Sequence, residues 1–139
     1  MLRYKLIHPE ILAALATAGH GSQVLIADGN YPFTTGAHQA ARRVYLNLAP
    51  GLLNATDVLA ALADAVPIEA AHVMVPDSGP EPPIFAEFRA ILPGLELQPL
   101  GRFPFYEAAR GPNTALVIAT GERRVYANIL LTIGVVPPQ

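Results

Sequence analysis

Apolar positions in this chain switch between a helical and an extended spacing, and the switches divide it into elements. Ile11, Leu12 and Leu15 share one helical face, Pro9 suits a first turn and Gly19 a C-terminal cap. Together they predict a helix over residues 9–18. Residues 23–27 are a short apolar run, the pattern of a strand buried on both faces. Residues 34–39 read as loop and 43–48 alternate as a strand does. Val58, Leu59, Leu62 and Val66 form a helical stripe running to Ala65, with Asn54 or Thr56 as its cap. A strand over 70–75 follows and is closed by the turn residues 76–80. Pro82 and Pro83 then open a helix carrying Ile84, Phe85, Phe88, Ile91 and Leu92. Residues 95–100 read as a strand in which Pro99 demands an edge position or an early stop. The pattern ends with a short helix over 105–110 and two β-branched strands, 115–119 and 129–133, separated by a turn around Gly121.

Strands alternating with helices predict an α/β domain with a mostly parallel sheet of about six strands. No helix pattern separates the last two strands, so one strand is expected to run antiparallel. Neither a repeat nor a long linker interrupts the sequence, and its 139 residues fit one domain over 1–139.

Composition narrows the range of partners. Charged residues make up only 14% of the chain, against roughly 25% in an average soluble domain. Such a surface fits burial between subunits, and a homo-oligomer is expected, although many alanines also dilute charge without creating sticky patches. Net charge is −2, and the largest basic clusters are Arg42–Arg43 and Arg123–Arg124. That is too little for a phosphate-backbone footprint, so no nucleic-acid partner is expected. Cysteine is absent, which excludes disulfides and thiolate metal sites. Residues 1–5 lack an apolar signal core and no run reaches bilayer-spanning length. A cytoplasmic protein with no membrane partner is the expectation.

Four segments carry candidate chemistry. His20 lies between Gly19 and Gly21, where little shields an imidazole able to give or take a proton near neutrality. Asp28 closes the first predicted strand, and the crevice beyond such strand ends is a common ligand site. Arg102 and Tyr106 share a face if their segment is helical, with Phe103 and Phe105 beneath them. Tyr126 and Asn128 bracket Ala127 and would project to one side of an extended segment. Each has a plainer reading: an incidental histidine, an Asp-Gly turn, a helix start with core aromatics, and a turn entering a strand. His8, His38 and His72 show no metal-ligand spacing with carboxylates. A phosphate-cradling glycine loop and a nucleophile elbow are both missing.

Taken in order, the segments Leu15–Gly21, Ala27–Pro32, Arg102–Glu107, Thr120–Glu122 and Tyr126–Leu131 resemble the sugar mutarotase family of L-fucose mutarotase and D-ribose pyranase. Arg102 resembles the fucose branch, since the ribose branch carries histidine there. The resemblance implies a three-layer α/β/α fold and assembly into decameric or octameric rings with the site where subunits meet. It implies a monosaccharide substrate, no cofactor and no metal. His20 matches the family's general acid, while Asp28, Arg102, Tyr126 and Asn128 match its sugar-binding positions. Tyr106 matches a tyrosine implicated in catalysis in the fucose branch, and Glu69 falls where some fucose-type members carry a catalytic aspartate. Either would serve as the second proton-transfer group, while Tyr126 and Phe105 would offer apolar area to a sugar face. The implied activity is interconversion of cyclic anomers, or of ring forms, by acid/base ring opening and closing. The alternative is a non-catalytic monosaccharide-binding accessory protein of sugar uptake.

Overall fold

A computed structural model describes all residues from Met1 to Gln139. In chain order the elements are α1 (Pro9–Thr17), β1 (Gln23–Ala27), β2 (Arg42–Tyr45), α2 (Ala55–Ala65) and β3 (Ile68–Met74). They continue with α3 (Ile84–Ile91), β4 (Leu97–Leu100), α4 (Arg102–Arg110), β5 (Thr114–Ala119) and β6 (Ile129–Ile133). The six strands form one sheet in the order β2-β5-β1-β6-β3-β4. β1, β5 and β2 run parallel, as do β3 and β4, while β6 runs antiparallel between β1 and β3. The expected antiparallel strand is therefore β6. With no crossover helix after β5, the chain re-enters the sheet from the edge at which β5 leaves it.

The two faces of the sheet are covered unequally. On one, Ile11 of α1, Leu59 and Leu62 of α2, and Phe85 and Phe88 of α3 pack on Val24, Ile26, Leu116, Ile118, Ile129 and Leu131. On the other, Phe105 and Ala109 of α4 share a smaller core with Tyr31, Ala37 and Ala41 of the loop after β1. This core sits on Leu25, Ala27, Val117, Leu130 and Met74. The layers are α/β/α, and one outer layer is a single helix plus loop. Val24, Leu25 and Ile26 are buried from both sides, as the unbroken apolar run predicts, each contributing about 1.5–3 kcal/mol.

Several boundaries differ for identifiable reasons. α1 stops at Thr17, and its cap is Ala18 in an extended conformation rather than Gly19. The left-handed glycine is Gly21, with φ of 85°. At its start, His8 accepts from the Ile11 N–H through Nδ1 at 3.4 Å. β2 ends at Tyr45 because the following loop turns onto the end of β5. There Gly51 N donates to Gly121 O at 2.6 Å and Gly121 N to Leu53 O at 3.0 Å. A Cβ on Gly121 would meet Leu52 O at 2.3 Å and Ala49 O at 2.4 Å, so only glycine fits. α4 begins at Arg102, ahead of Pro104. A first helical turn has no use for the N–H that proline lacks. Pro99 lies in β4, which is an edge strand as its sequence demands.

Candidate functional site

At the carboxyl edge of the parallel strands, residues from both halves of the chain converge. Asp28 follows β1, Met74 ends β3 and Arg102 opens α4. Asn128 precedes β6, whose reversed direction brings its start to this same edge. With Asn30, Tyr31, Tyr106, Val125 and Tyr126 they line a cleft of about 220 Å³. Drug-sized ligands occupy roughly 300–1,000 Å³, so this one is on the scale of a single sugar ring.

Asp28 organises the floor and is only 2% exposed. Its Oδ1 accepts from Asn30 N at 2.9 Å, and its Oδ2 from Ala127 N at 3.2 Å and Asn128 Nδ2 at 3.1 Å. The Asp28 backbone N–H returns a bond to Asn128 Oδ1 at 2.7 Å. A carboxylate offers about four lone-pair positions, and these donors take three of them. Burial pushes the carboxyl above its ordinary value, and the Asn30, Ala127, Asn128 and Tyr31 donors only partly offset that.

Tyr106 stands on the wall. Arg102 Nε donates to its hydroxyl at 3.3 Å, confirming that these two residues share a helix face. The guanidinium carbons of Arg102 and Arg110 lie 5.7 and 5.6 Å from the Tyr106 ring centroid, at cation–π distance. Tyr31 meets Tyr106 edge-on at 5.4 Å and donates to Gly36 O at 2.6 Å. Burial pushes the Tyr31 phenol well up, so it is a neutral support.

Behind the cleft, Glu122 is buried and binds Arg124 in bidentate fashion, Oε1 to Nε and Oε2 to Nη2, each at 3.0 Å. Its Oε2 also accepts from Ala55 N at 3.2 Å, tying this loop to the start of α2. Burial alone would raise this carboxyl, but the Arg124 side chain, with the N–H groups of Arg124 and Ala55, holds it below its ordinary value.

Two sequence-based placements need correction. Phe105 is fully buried beneath α4 and Phe103 points to solvent, so Phe105 offers nothing to a ligand. Residues two apart on a helix face different ways. Tyr126 and Asn128 do share the cleft, but not through extended alternation. Tyr126 sits in a turn with φ of 57°, and that left-handed backbone aims it inward.

His20 and Glu69 lie elsewhere. His20 Nε2 is 3.1 and 3.0 Å from the two Glu69 carboxylate oxygens, and both side chains are substantially exposed. His20 precedes β1 and Glu69 is near the start of β3, at the amino edge of the sheet. The cleft is at the carboxyl edge, separated by the length of β1, roughly 16 Å. One chain does not bring His20 to Asp28. Asn30, Tyr31, Met74 and Val125 also line the cleft without having been singled out in the sequence. The first two fall within the Ala27–Pro32 motif, whereas Met74 and Val125 carry no polar signal. No three His, Cys, Asp or Glu residues converge as a metal-ligand group, and no helix is long and apolar enough to cross a membrane.

Comparison with known proteins adds a consistent set of relatives. The family described as RbsD / FucU transport protein family matches residues 1–136. The chain is 36% identical over 144 residues to the fucose mutarotase of Bos taurus, covering 96% of this chain and 92% of that protein. Among solved structures, the fucose mutarotase of Streptococcus pneumoniae in complex with L-fucose superposes with a TM-score of 0.85 at 27% identity. That match covers 99% of this chain and 100% of the other. Bacillus subtilis RbsD complexed with D-ribose shares the fold, with a TM-score of 0.82 at 24% identity over 99% of this chain and 100% of the other.

Proposed function

This chain belongs to the RbsD / FucU transport protein family, and we propose on that footing that it is a sugar mutarotase. It interconverts the cyclic anomers of a monosaccharide such as L-fucose. One observation carries the reading: Asp28, Arg102, Tyr106, Tyr126 and Asn128, scattered along the chain, line a single sugar-sized cleft. The relatives named fucose mutarotase support the choice of sugar.

The reaction balances without redox chemistry. The anomeric hydroxyl loses a proton, its oxygen becomes the aldehyde carbonyl, and the bond from C1 to the ring oxygen breaks. The ring oxygen takes up a proton. Rotation about the bond from C1 to C2 and the reverse steps close the ring on the other face. Asp28 accepts one hydroxyl, Asn128 and Arg102 hold others, and Tyr126 covers a sugar face. Tyr106 relays the anomeric proton, accepting it on its hydroxyl oxygen as its own phenolic proton passes to solvent. His20 protonates the ring oxygen, while Glu69 fixes its ring and relays the proton. Each such positioned group contributes about 10²–10⁴-fold.

Since His20 and Glu69 stand at the edge of the sheet opposite the cleft, a second copy must deliver them. The working unit is therefore a homo-oligomer with each site shared between copies, and this reading places it in the cytoplasm. The low charge content, the exposed Val125 of the cleft and the exposed Leu48 of the cleft adjoining it support such contacts.

Saturation-transfer NMR on equilibrated L-fucose tests the proposal. Wild-type protein should accelerate anomer exchange well above buffer, and His20→Ala and Asp28→Ala should each lose about 10²-fold or more. Sugar binding with exchange no faster than buffer would instead establish the non-catalytic binding protein.

A further inference from the structure

The chain leaves β6 beside His20. Gly21 N donates to Ile133 O and Ile133 N to Ser22 O, both at 2.9 Å. Gly134 N donates to Pro67 O at 2.9 Å, and Glu69 lies directly against Gly134. The His20–Glu69 pair and the segment beginning at Val135 thus form one unit at the amino edge. In that segment Val135 and Val136 are 59% and 73% exposed. Pro137 and Pro138 follow, and proline disfavours both helix and an inward fold-back for the residue before it.

The opposite edge carries a matching apolar rim. Val125, 62% exposed, lines the sugar cleft, and Leu48, 85% exposed, lines an adjoining cleft of about 450 Å³. Asn30 belongs to both clefts. When His20 of one copy reaches the sugar cleft of another, residues 135–137 arrive with it, since they reach about 10 Å from Gly134.

We propose that Val135 and Val136 of one copy dock on the cleft rim of a neighbouring copy, against Leu48 and Val125, and close the sugar cleft beside the incoming His20. The proposal rests on the shared-site reading above. The segment acts as a lid that excludes water while the ring is open and limits sugar escape.

Two measurements test it. The protein has no cysteine, so introduced pairs report without background. Val136→Cys chains are coproduced with Leu48→Cys chains and mildly oxidised. Glu96→Cys, an exposed site at the edge away from the cleft, serves as control acceptor. Disulfide-linked chain pairs should form at least about tenfold more with Leu48→Cys than with Glu96→Cys, as a raised effective concentration requires. Equal yields overturn the docking. In the second measurement, a Val135→Ser/Val136→Ser variant should show a KM raised about tenfold with an unchanged unfolding temperature. An unchanged KM beside an active wild type overturns the lid. A wild type without exchange activity sinks the mutarotase reading instead, and the cross-link then decides the docking alone.

Discussion

If Asp28 binds sugar as proposed, ligand binding depends on pH in a defined direction. Its carboxyl is raised by burial above the ordinary value of 3.8, so the folded protein holds that proton to a higher pH than the unfolded chain does. A group raised in this way contributes stability that is complete below the unfolded value and is lost as pH rises through the folded one. Sugar binding at the proposed site should show the opposite dependence, because a protonated carboxyl no longer offers its full set of acceptors. Affinity for L-fucose, titrated from pH 7 downward, should begin to fall at a pH above that of an ordinary aspartate. An affinity flat to pH 4 would contradict this. Tyr126 supplies a second prediction. A side chain in the left-handed region costs about 1–2 kcal/mol. Tyr126→Gly should therefore unfold at higher denaturant than Tyr126→Ala, although both lose the ring and both should bind sugar weakly. The residue types in this cleft were legible because short motifs carry them. The left-handed turn at Tyr126 was not, since nothing local distinguishes it from an extended run.

Among the elements, the join between the loop after β5 and the start of α2 is sensitive to acid. Glu122 is held below its ordinary value of 4.5. Its contribution is present above that value and lost as pH falls through the lower folded one. Arg124→Met should flatten the acid limb of a stability–pH profile while lowering stability at pH 7. Glu122→Ala should cost about 2–3 kcal/mol at neutral pH, since it orphans the Ala55 N–H and leaves Arg124 only its pairing with Glu87. Chemical denaturation across pH measures both. Sequence periodicity located these elements well but missed this join, because residues 55 and 122 are linked only through the finished sheet. It also started α4 three residues late, at 105 rather than at Arg102, although Pro104 is tolerated in a first turn. Pro99, by contrast, revealed its edge strand directly.

For the whole molecule, alternation of strands and helices conveyed the α/β class and the single reversed strand, whereas strand order stayed hidden. It depends on contacts between distant segments. The same limit governed His20 and Asp28, which look close because eight positions separate them. An extended strand between them instead sends them to opposite edges of the sheet. If neighbouring copies share each site, two inactive variants should repair one another. Coproduced His20→Ala and Asp28→Ala chains, mixed at random in a symmetric assembly, should regain about a quarter of wild-type exchange activity. Failure to recover any would place both groups on one chain.

The strand order has a consequence for how the protein is made. β1 emerges early from the ribosome, yet its two neighbours, β5 and β6, are the last strands translated. Until then its apolar residues have no hydrogen-bonding partner on either side, and closing such distant pairs is slow. A nascent chain stalled before residue 129 should stay protease-sensitive and bound by chaperones, with the Asp28–Asn128 contact forming only after release.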